Sequence, residues 1–552
     1  MKVSVNINGQ TLEVPAGING IEACKLAGVE VPHFCYHKEL SLAGSCRMCL
    51  VSVGTPARDR ATGAPVLNDD GTAQIAFMPK PAIACGTTVS EGMHIRTNTP
   101  EIVTARQGVM EFILANHPLD CPICDKAGEC RLQEFAANFG NGESRFVEDK
   151  NVKAKRVKIG GGKIVLDAER CVLCSRCIRY CKEKIGREIF GFTKRGSKTE
   201  ISVYDPEDDG GDYLVNVADI CPVGALTEAA FRFKMRTWFL RATDSISAES
   251  SAGVNTRVWS REGKIYRITP RENPQVNESW MPDSARLEYR DLDDGNRLST
   301  MRVDGAPCAN SYAIARAVES LGREGLAIVA SPFRSLEEQF LIAELVKLSG
   351  AKVYAVSHLG EDDGRLVSAD RSPNMRGLFA AGLLEEYPQG DLAELAKFVR
   401  VGEIKNILCF DEDLLSLGLE EKDFKLANVV FCGVDDNETA RHAKVAIALE
   451  SDYEKRGLFI NRQWRLQEFK KALQAPAGIA NSVEMLIQFI NSLGNTGYTL
   501  HDTNAVRAAM CKRSDILPPN CETDCCGVLL DASKFAAVNF PEKDGLNFKK
   551  NG

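Results

Sequence analysis

The chain has no run of apolar residues near the ~18–20 needed to span a bilayer, so any membrane association is expected to come through partner proteins. A basic surplus is also missing. Lys and Arg number 68 against 75 Asp and Glu, a net charge of -7, which makes nucleic acid a poor partner. No GxGxxG opens a helix after a strand, Gly160-Gly161-Gly162 stands too isolated to count, and no Walker A sequence occurs. Neither a dinucleotide nor a flavin site is therefore expected. The opening MKVSVNINGQ alternates valines and then turns, without a charged region followed by an apolar one. Neither a secretory signal nor a transit peptide is expected from it.

What the chain has in quantity is cysteine. There are 20, of which 13 fall between Cys24 and Cys221, mostly in CxxC-type groups. Disulfide frameworks belong to short secreted sequences, and 552 residues is not short. Cysteines chosen only for packing would not group this way, so metal binding is the expected use. The remaining composition, 26% charged and 44% hydrophobic, is that of an ordinary soluble protein. The length calls for several domains.

Residues 1–100 read as a small sheet, with Val3, Val5 and Ile7 alternating, a turn at Asn8-Gly9, and a short helical segment near Ile21–Leu26. The Gly-, Pro-, Asp- and Asn-rich stretch 54–80 reads as an inserted surface loop. Residues 101–150 look helical, stopping first at Asn116-His117-Pro118. A dense cysteine loop fills 151–236. Beyond it, apolar strands such as 326–330 and 353–356 alternate with helical segments such as 336–348, which predicts α/β layers with parallel strands over 237–500.

Three sets of candidate ligands follow. The first is Cys35, Cys46, Cys49 and Cys85, three cysteines in one loop plus a distant fourth, the general arrangement of plant-type 2Fe–2S ferredoxins. Its Cys35–Cys46 gap holds ten residues where simple plant-type ferredoxins have four. The second is His117, Cys121, Cys124 and Cys130. Zinc also takes such donors, so on spacing alone it stays open for both sets. The third is Cys171, Cys174 and Cys177 with the distant Cys221-Pro222, the pattern that wraps a 4Fe–4S cubane. No further CxxCxxC lies near Cys221 to build a second cubane with Cys181. Cys181 therefore reads as a free thiol and Cys24 as core.

The order of C-x10-C-x2-C, HxxxCxxCx5C and CxxCxxC…CPVGAL resembles the large iron–sulfur subunit of respiratory complex I. In bacteria this is the G subunit of NADH-quinone oxidoreductase, and in mitochondria the 75 kDa subunit. The resemblance is dense over residues 1–235. It continues through KIYRITPRENPQVNESWMPDSARLEY and EKRGLFINRQWRLQ, the latter like the E-x-x-G-x-F-x-N region of molybdopterin oxidoreductases.

That resemblance implies a 2Fe–2S β-grasp domain (1–100), a helical His/Cys3 4Fe–4S segment (101–150) and a ferredoxin-like 4Fe–4S domain (151–236). A molybdopterin-oxidoreductase-like α/β scaffold without cofactor (237–500) and a C-terminal tail (501–552) would follow. It assigns one 2Fe–2S cluster to the first set and one 4Fe–4S cluster to each of the others. No molybdopterin or flavin is implied, and no further cubane after CPVGAL, where RATDSISAESSAGVN has no cysteine. Cys511, Cys521, Cys525 and Cys526 are expected in an unstructured or partner-packing tail.

The implied role is electron transfer from an NADH/FMN-binding subunit toward quinone-side iron–sulfur subunits. The chain would be peripheral, on the cytoplasmic side of the bacterial inner membrane. It would belong to an ion-translocating NADH:quinone reductase with no complete active site on this chain. The near rival is the equivalent subunit of a soluble NAD-dependent hydrogenase or formate dehydrogenase. A zinc-stabilised scaffold is the rival from another class, and three sites in family order disfavour it.

Overall fold

In the computed structural model the described residues are 1–59, 62–64, 66–292, 295–494, 496–500 and 502–541. They divide into two compact units, Met1–Trp238 and a second from Phe239 onward.

The first unit begins with a sheet in the order Gln10–Pro15, Lys2–Ile7, Met93–Arg96, Leu50–Pro56, Ile75–Phe77, with Ala82–Ile83 also paired to Leu50–Pro56. The first two strands form a hairpin because Asn8 (φ 51°) and Gly9 (φ 95°) supply the two left-handed positions of a tight turn. Alternation puts Val5 and Ile7 inward, where they meet Val14, Ile21, Val51, Val53 and Ile95. Helix Gly20–Leu26 starts at Asn19, whose side chain accepts from the Ile21 and Glu22 amides.

The turn-rich stretch 54–80 departs from a simple loop. Its ends are strand, with Gly54 opposite Phe77. A Cβ at Gly54 would lie 2.7 Å from Ile75 Cγ2, so here glycine permits close strand packing rather than a turn.

Thr99 caps helix Pro100–Ala115, and the Lys150 ammonium donates to the Leu114 and Ala115 carbonyls at its far end, at 3.1 and 2.7 Å. Arg106 fixes this helix to the sheet by donating to the carbonyls of Leu50 and Thr97. The rest of the unit is a three-stranded sheet (Leu226–Glu228, Ile164–Leu166, Val157–Ile159) and a hairpin (Phe190–Thr193, Glu200–Val203) around short helices.

The second unit has at its centre a seven-stranded sheet, parallel from Val445–Ala448 through Asn428–Gly433, Asn406–Phe410 and Leu326–Val329 to Lys352–Tyr354. Helix Leu336–Ser349 has a full capping box between Ser335 and Glu338. The EKRGLFINRQWRLQ segment is built into this unit. Glu454 pairs with Arg297 through two bonds of 2.7 and 2.6 Å, and a Cβ at Gly457 would collide with Phe469 and Ser335.

The tail, expected to be unstructured or to pack on a partner, is instead built into this unit over its described residues, 502–541. Val506 and Met510 of helix Thr503–Arg513 are buried in the same core, Val528–Leu529 adds a strand beside Arg465–Phe469, and Phe535 stacks on Trp464 at 4.5 Å. Apolar burial overrode a local sequence with little helical amphipathicity. Met510→Ala should accordingly destabilise the second unit by about 2–5 kcal/mol. Denaturant unfolding reads this directly, and an unchanged midpoint would mean that the tail does not share this core.

Candidate metal centres

The first set is carried by the loop between helix Gly20–Leu26 and strand Leu50–Pro56, and by the 3-10 turn Ala84–Gly86. The Ala84 amide donates to the Cys49 carbonyl at 2.9 Å, which brings Cys85 Sγ to 3.4 Å from Cys49 Sγ. Cys35 and Cys46 form the other pair, with the Phe34 amide donating to Cys46 Sγ at 3.4 Å. Within each pair one thiol is held down by the hydrogen bond from the other. Cys35 falls to about 5 and Cys49 to about 7, while Cys46 and Cys85 are pushed up. The pairing thus favours the thiolate at one sulfur of each pair, the form in which cysteine binds metal.

The second set lies where helix Pro100–Ala115 ends and before helix Arg131–Phe139 begins. His117, Cys121, Cys124 and Cys130 all line one cavity of about 680 Å³. Burial first, then the nearby Lys150 and Arg170 charges, lower the His117 pKa to about 4, so its imidazole is neutral at physiological pH. Its Nδ1 is buried without a hydrogen-bond partner. A neutral ring with an unsatisfied buried nitrogen fits a metal ligand.

The third set is the most enclosed. Cys171, Cys174, Cys177 and Cys221 surround a small space walled by Phe192, Ile201 and Leu226. Leu173 (φ 54°) and Ser175 (φ 60°) adopt left-handed backbone, unusual for such residues. The turn lets the Leu173 amide donate to Cys171 Sγ at 3.4 Å. Burial raises the thiols of Cys171 to about 12 and Cys174 to about 11, and that of Cys177 well up. Thiolates crowded there need a cationic core to balance them, which suits iron.

Among the described residues no three His, Cys, Asp or Glu side chains converge as a ready single-ion site. Cys181, in the π turn Cys181–Ile185, and Cys24 are both buried thiols raised by burial, Cys24 to about 11. Cys521 is buried with its thiol toward the Arg507 carbonyl, and Cys525 and Cys526 have sulfurs 3.8 Å apart.

Contacts between the three sets come from residues that sequence reasoning does not single out. Gly224, in CPVGAL, lies so close to the second set that a Cβ would stand 2.2 Å from Cys124 Sγ. The Arg131 amide donates to the Pro222 carbonyl at 3.2 Å, and Arg170, adjacent to Cys171, pairs with Asp120, adjacent to Cys121, at 3.1 Å. On the other side, Arg176 and Arg179 donate to carbonyls of Tyr36, Cys35 and Ser41 in the first set's loop. Phe34 and Phe135 meet edge-on at 5.4 Å between the first loop and the second set's helix. The available signal was the arginines interleaved in CVLCSRCIRYC, which spacing rules for cysteine ignore.

Four family models match successive stretches: a 2Fe-2S iron-sulfur cluster binding domain at residues 1–100, an NADH-ubiquinone oxidoreductase-G iron-sulfur binding region at 106–145, an NADH-quinone oxidoreductase subunit 3 ferredoxin-like domain at 161–227, and an NDSU1/NuoG-like 4Fe-4S domain at 240–290. Similar proteins include the G subunit of NADH-quinone oxidoreductase from Rickettsia felis, 38% identical over 64% of this chain and 50% of that protein. The NADH-ubiquinone oxidoreductase 75 kDa subunit of Reclinomonas americana is 40% identical over 52% of this chain and 38% of that protein. This chain is a relative of these large iron–sulfur subunits.

It spans about half the length of the Rickettsia relative, and less of the Reclinomonas one. A chain of a NAD+-reducing [NiFe]-hydrogenase is distantly similar, at 23% identity and a TM-score of 0.34, covering 43% of this chain and 91% of that one. The 240–290 stretch that matches the NuoG-like 4Fe-4S domain contains no cysteine here, so it offers no thiolate to a cluster.

Gly224→Ala should displace Cys124 and lower any metal content that the second set provides, while leaving that of the other two. Metal analysis of the purified variant would show a partial loss. Full wild-type content would mean that the added methyl is accommodated.

Proposed function

We propose that this chain is the iron–sulfur electron-transfer subunit of an NADH–quinone oxidoreductase, relaying electrons from an NADH/FMN-binding subunit toward quinone-side iron–sulfur subunits. The observation that carries the reading is the gathering of three separate cysteine-rich sets in one compact unit, in a chain related to the large iron–sulfur subunits of that enzyme. Cys35, Cys46, Cys49 and Cys85 would hold a 2Fe–2S cluster. His117, Cys121, Cys124 and Cys130 would hold one 4Fe–4S cluster, and Cys171, Cys174, Cys177 and Cys221 another. When bound, these groups accept and release single electrons.

The chain's own residues bury most of these cysteines, donate amides to some of their sulfurs and hold the sets against each other. The Cys171 set is bridged by polar contacts to both of the others. No general acid or base is required, and the complete active site would lie on partner subunits. The domain limits of the first unit follow the same assignment, 1–100, 101–150 and 151–236, with 237–500 as scaffold.

Among the described residues no helix is long and apolar enough to cross a membrane. The proposed place is peripheral, on the cytoplasmic side of a bacterial inner membrane, with the ion-translocating machinery elsewhere in the complex.

Metal and sulfide analysis of the anaerobically purified chain, with EPR of its reduced form, tests the reading. About ten irons per chain are expected, two from a binuclear centre and four from each cubane, with no molybdenum. Stoichiometric zinc with little iron would sink electron transfer as the function.

A further inference from the structure

The loop between Cys35 and Cys46 is longer than cluster ligation requires, and its extra residues have a visible use. Helix Arg176–Tyr180, which carries Cys177 of the third set, runs on into the π turn Cys181–Ile185. Positions 176, 179 and 183 share one face of it, and all three reach the first set's loop. Arg176 donates to the Tyr36 carbonyl and also to the Ile220 carbonyl, beside Cys221, at 3.1 Å. The Ser41 amide donates to the Glu183 carboxylate at 2.9 Å, and its hydroxyl donates to it as well.

Arg179 makes the most direct link. One nitrogen donates to the Cys35 carbonyl and, at 3.5 Å, to the Cys174 carbonyl; the other donates to Ser41. A single half-buried guanidinium thus joins the backbone of one ligand of the first set to the backbone of one ligand of the third. Ser41 lies within the ten-residue gap, so a four-residue gap would leave out part of this platform.

We propose that Arg179 is a positioning residue that locks the first and third ligand loops at a fixed separation and sets a positive charge between them. The proposal rests on both sets holding iron–sulfur clusters. Tunnelling between two centres falls steeply with distance, so a clamp on both ligand backbones fixes the rate-determining geometry. Net charge beside a cluster sets its potential, and a cation favours the reduced form. Arginine suits both roles because its planar fork holds separate nitrogens toward Ser41 and toward the Cys35 and Cys174 carbonyls, whereas a lysine ammonium is a single point of charge.

The test uses the full chain purified anaerobically, as wild type, Arg179→Met and Arg179→Lys. The binuclear EPR signal is followed by redox titration and by microwave power saturation, since the neighbouring cubane speeds its relaxation when close. Absence of the binuclear signal from the wild type would overturn the cluster assignment itself.

With that signal present, Arg179→Met is expected to keep its iron but saturate at lower power. Its midpoint should fall by about 59 mV, a tenfold change in the one-electron ratio. Arg179→Lys should keep a near-wild-type midpoint yet saturate like the methionine variant. Wild-type saturation in an iron-replete Arg179→Met chain overturns the proposal. If Arg179→Met loses iron, Arg179→Lys decides: easier saturation supports the clamp, and unchanged saturation overturns it.

Discussion

Thiolates do not stay charged in an apolar interior unless something cationic is there with them. That constraint organises the first unit. The third set shows it at full strength, with Cys171, Cys174 and Cys177 walled in by Phe192, Ile201 and Leu226 and their thiols pushed upward by burial. The first set softens it by pairing, one thiol of each pair donating to its neighbour's sulfur. The second set trades one thiol for His117, which burial keeps neutral. Each set would hold its cysteines as thiolates only with a positively charged group among them.

The polar bridges between the sets answer a second demand, that the ligand loops hold still relative to each other. Loops are ordinarily the mobile parts of a protein. Here Arg170, Arg176 and Arg179 direct their hydrogen-bonding capacity to carbonyls and carboxylates next to ligand cysteines. Gly224 does the complementary job by its lack of a side chain, letting the CPVGAL segment lie against Cys124. The second unit has cysteines as well, but none in a CxxC group. Its motif residues Glu454 and Gly457 are occupied in packing and an internal ion pair.

The ligand sets themselves were legible in the sequence because cluster ligation is local. CxxC spacing puts two sulfurs on one tight loop whatever surrounds it. Alternation likewise marked Val3, Val5 and Ile7 as a strand, and Asn8-Gly9 as its turn. The tail was not legible. Helix Thr503–Arg513 has a weakly patterned sequence, and only the core around Val506 and Met510 makes it part of the second unit. The strand ends at Gly54 and Phe77 were hidden for a related reason, since glycine signals a turn locally and a close sheet contact only once the partner strand is known.

The sequence by itself determined which side chains are available as ligands and in what groups, through spacings of a few residues that short-range backbone geometry enforces. Tertiary structure alone decided that the third set, last along the chain, is bridged to both of the others. It also decided which arginines carry those bridges. The physical reason is range. Arg179 and Cys35 are 144 residues apart, and Gly224 and Cys124 are likewise far from adjacent in sequence. No local pattern encodes a meeting of that kind; it arises only when the whole unit closes around its buried sulfurs.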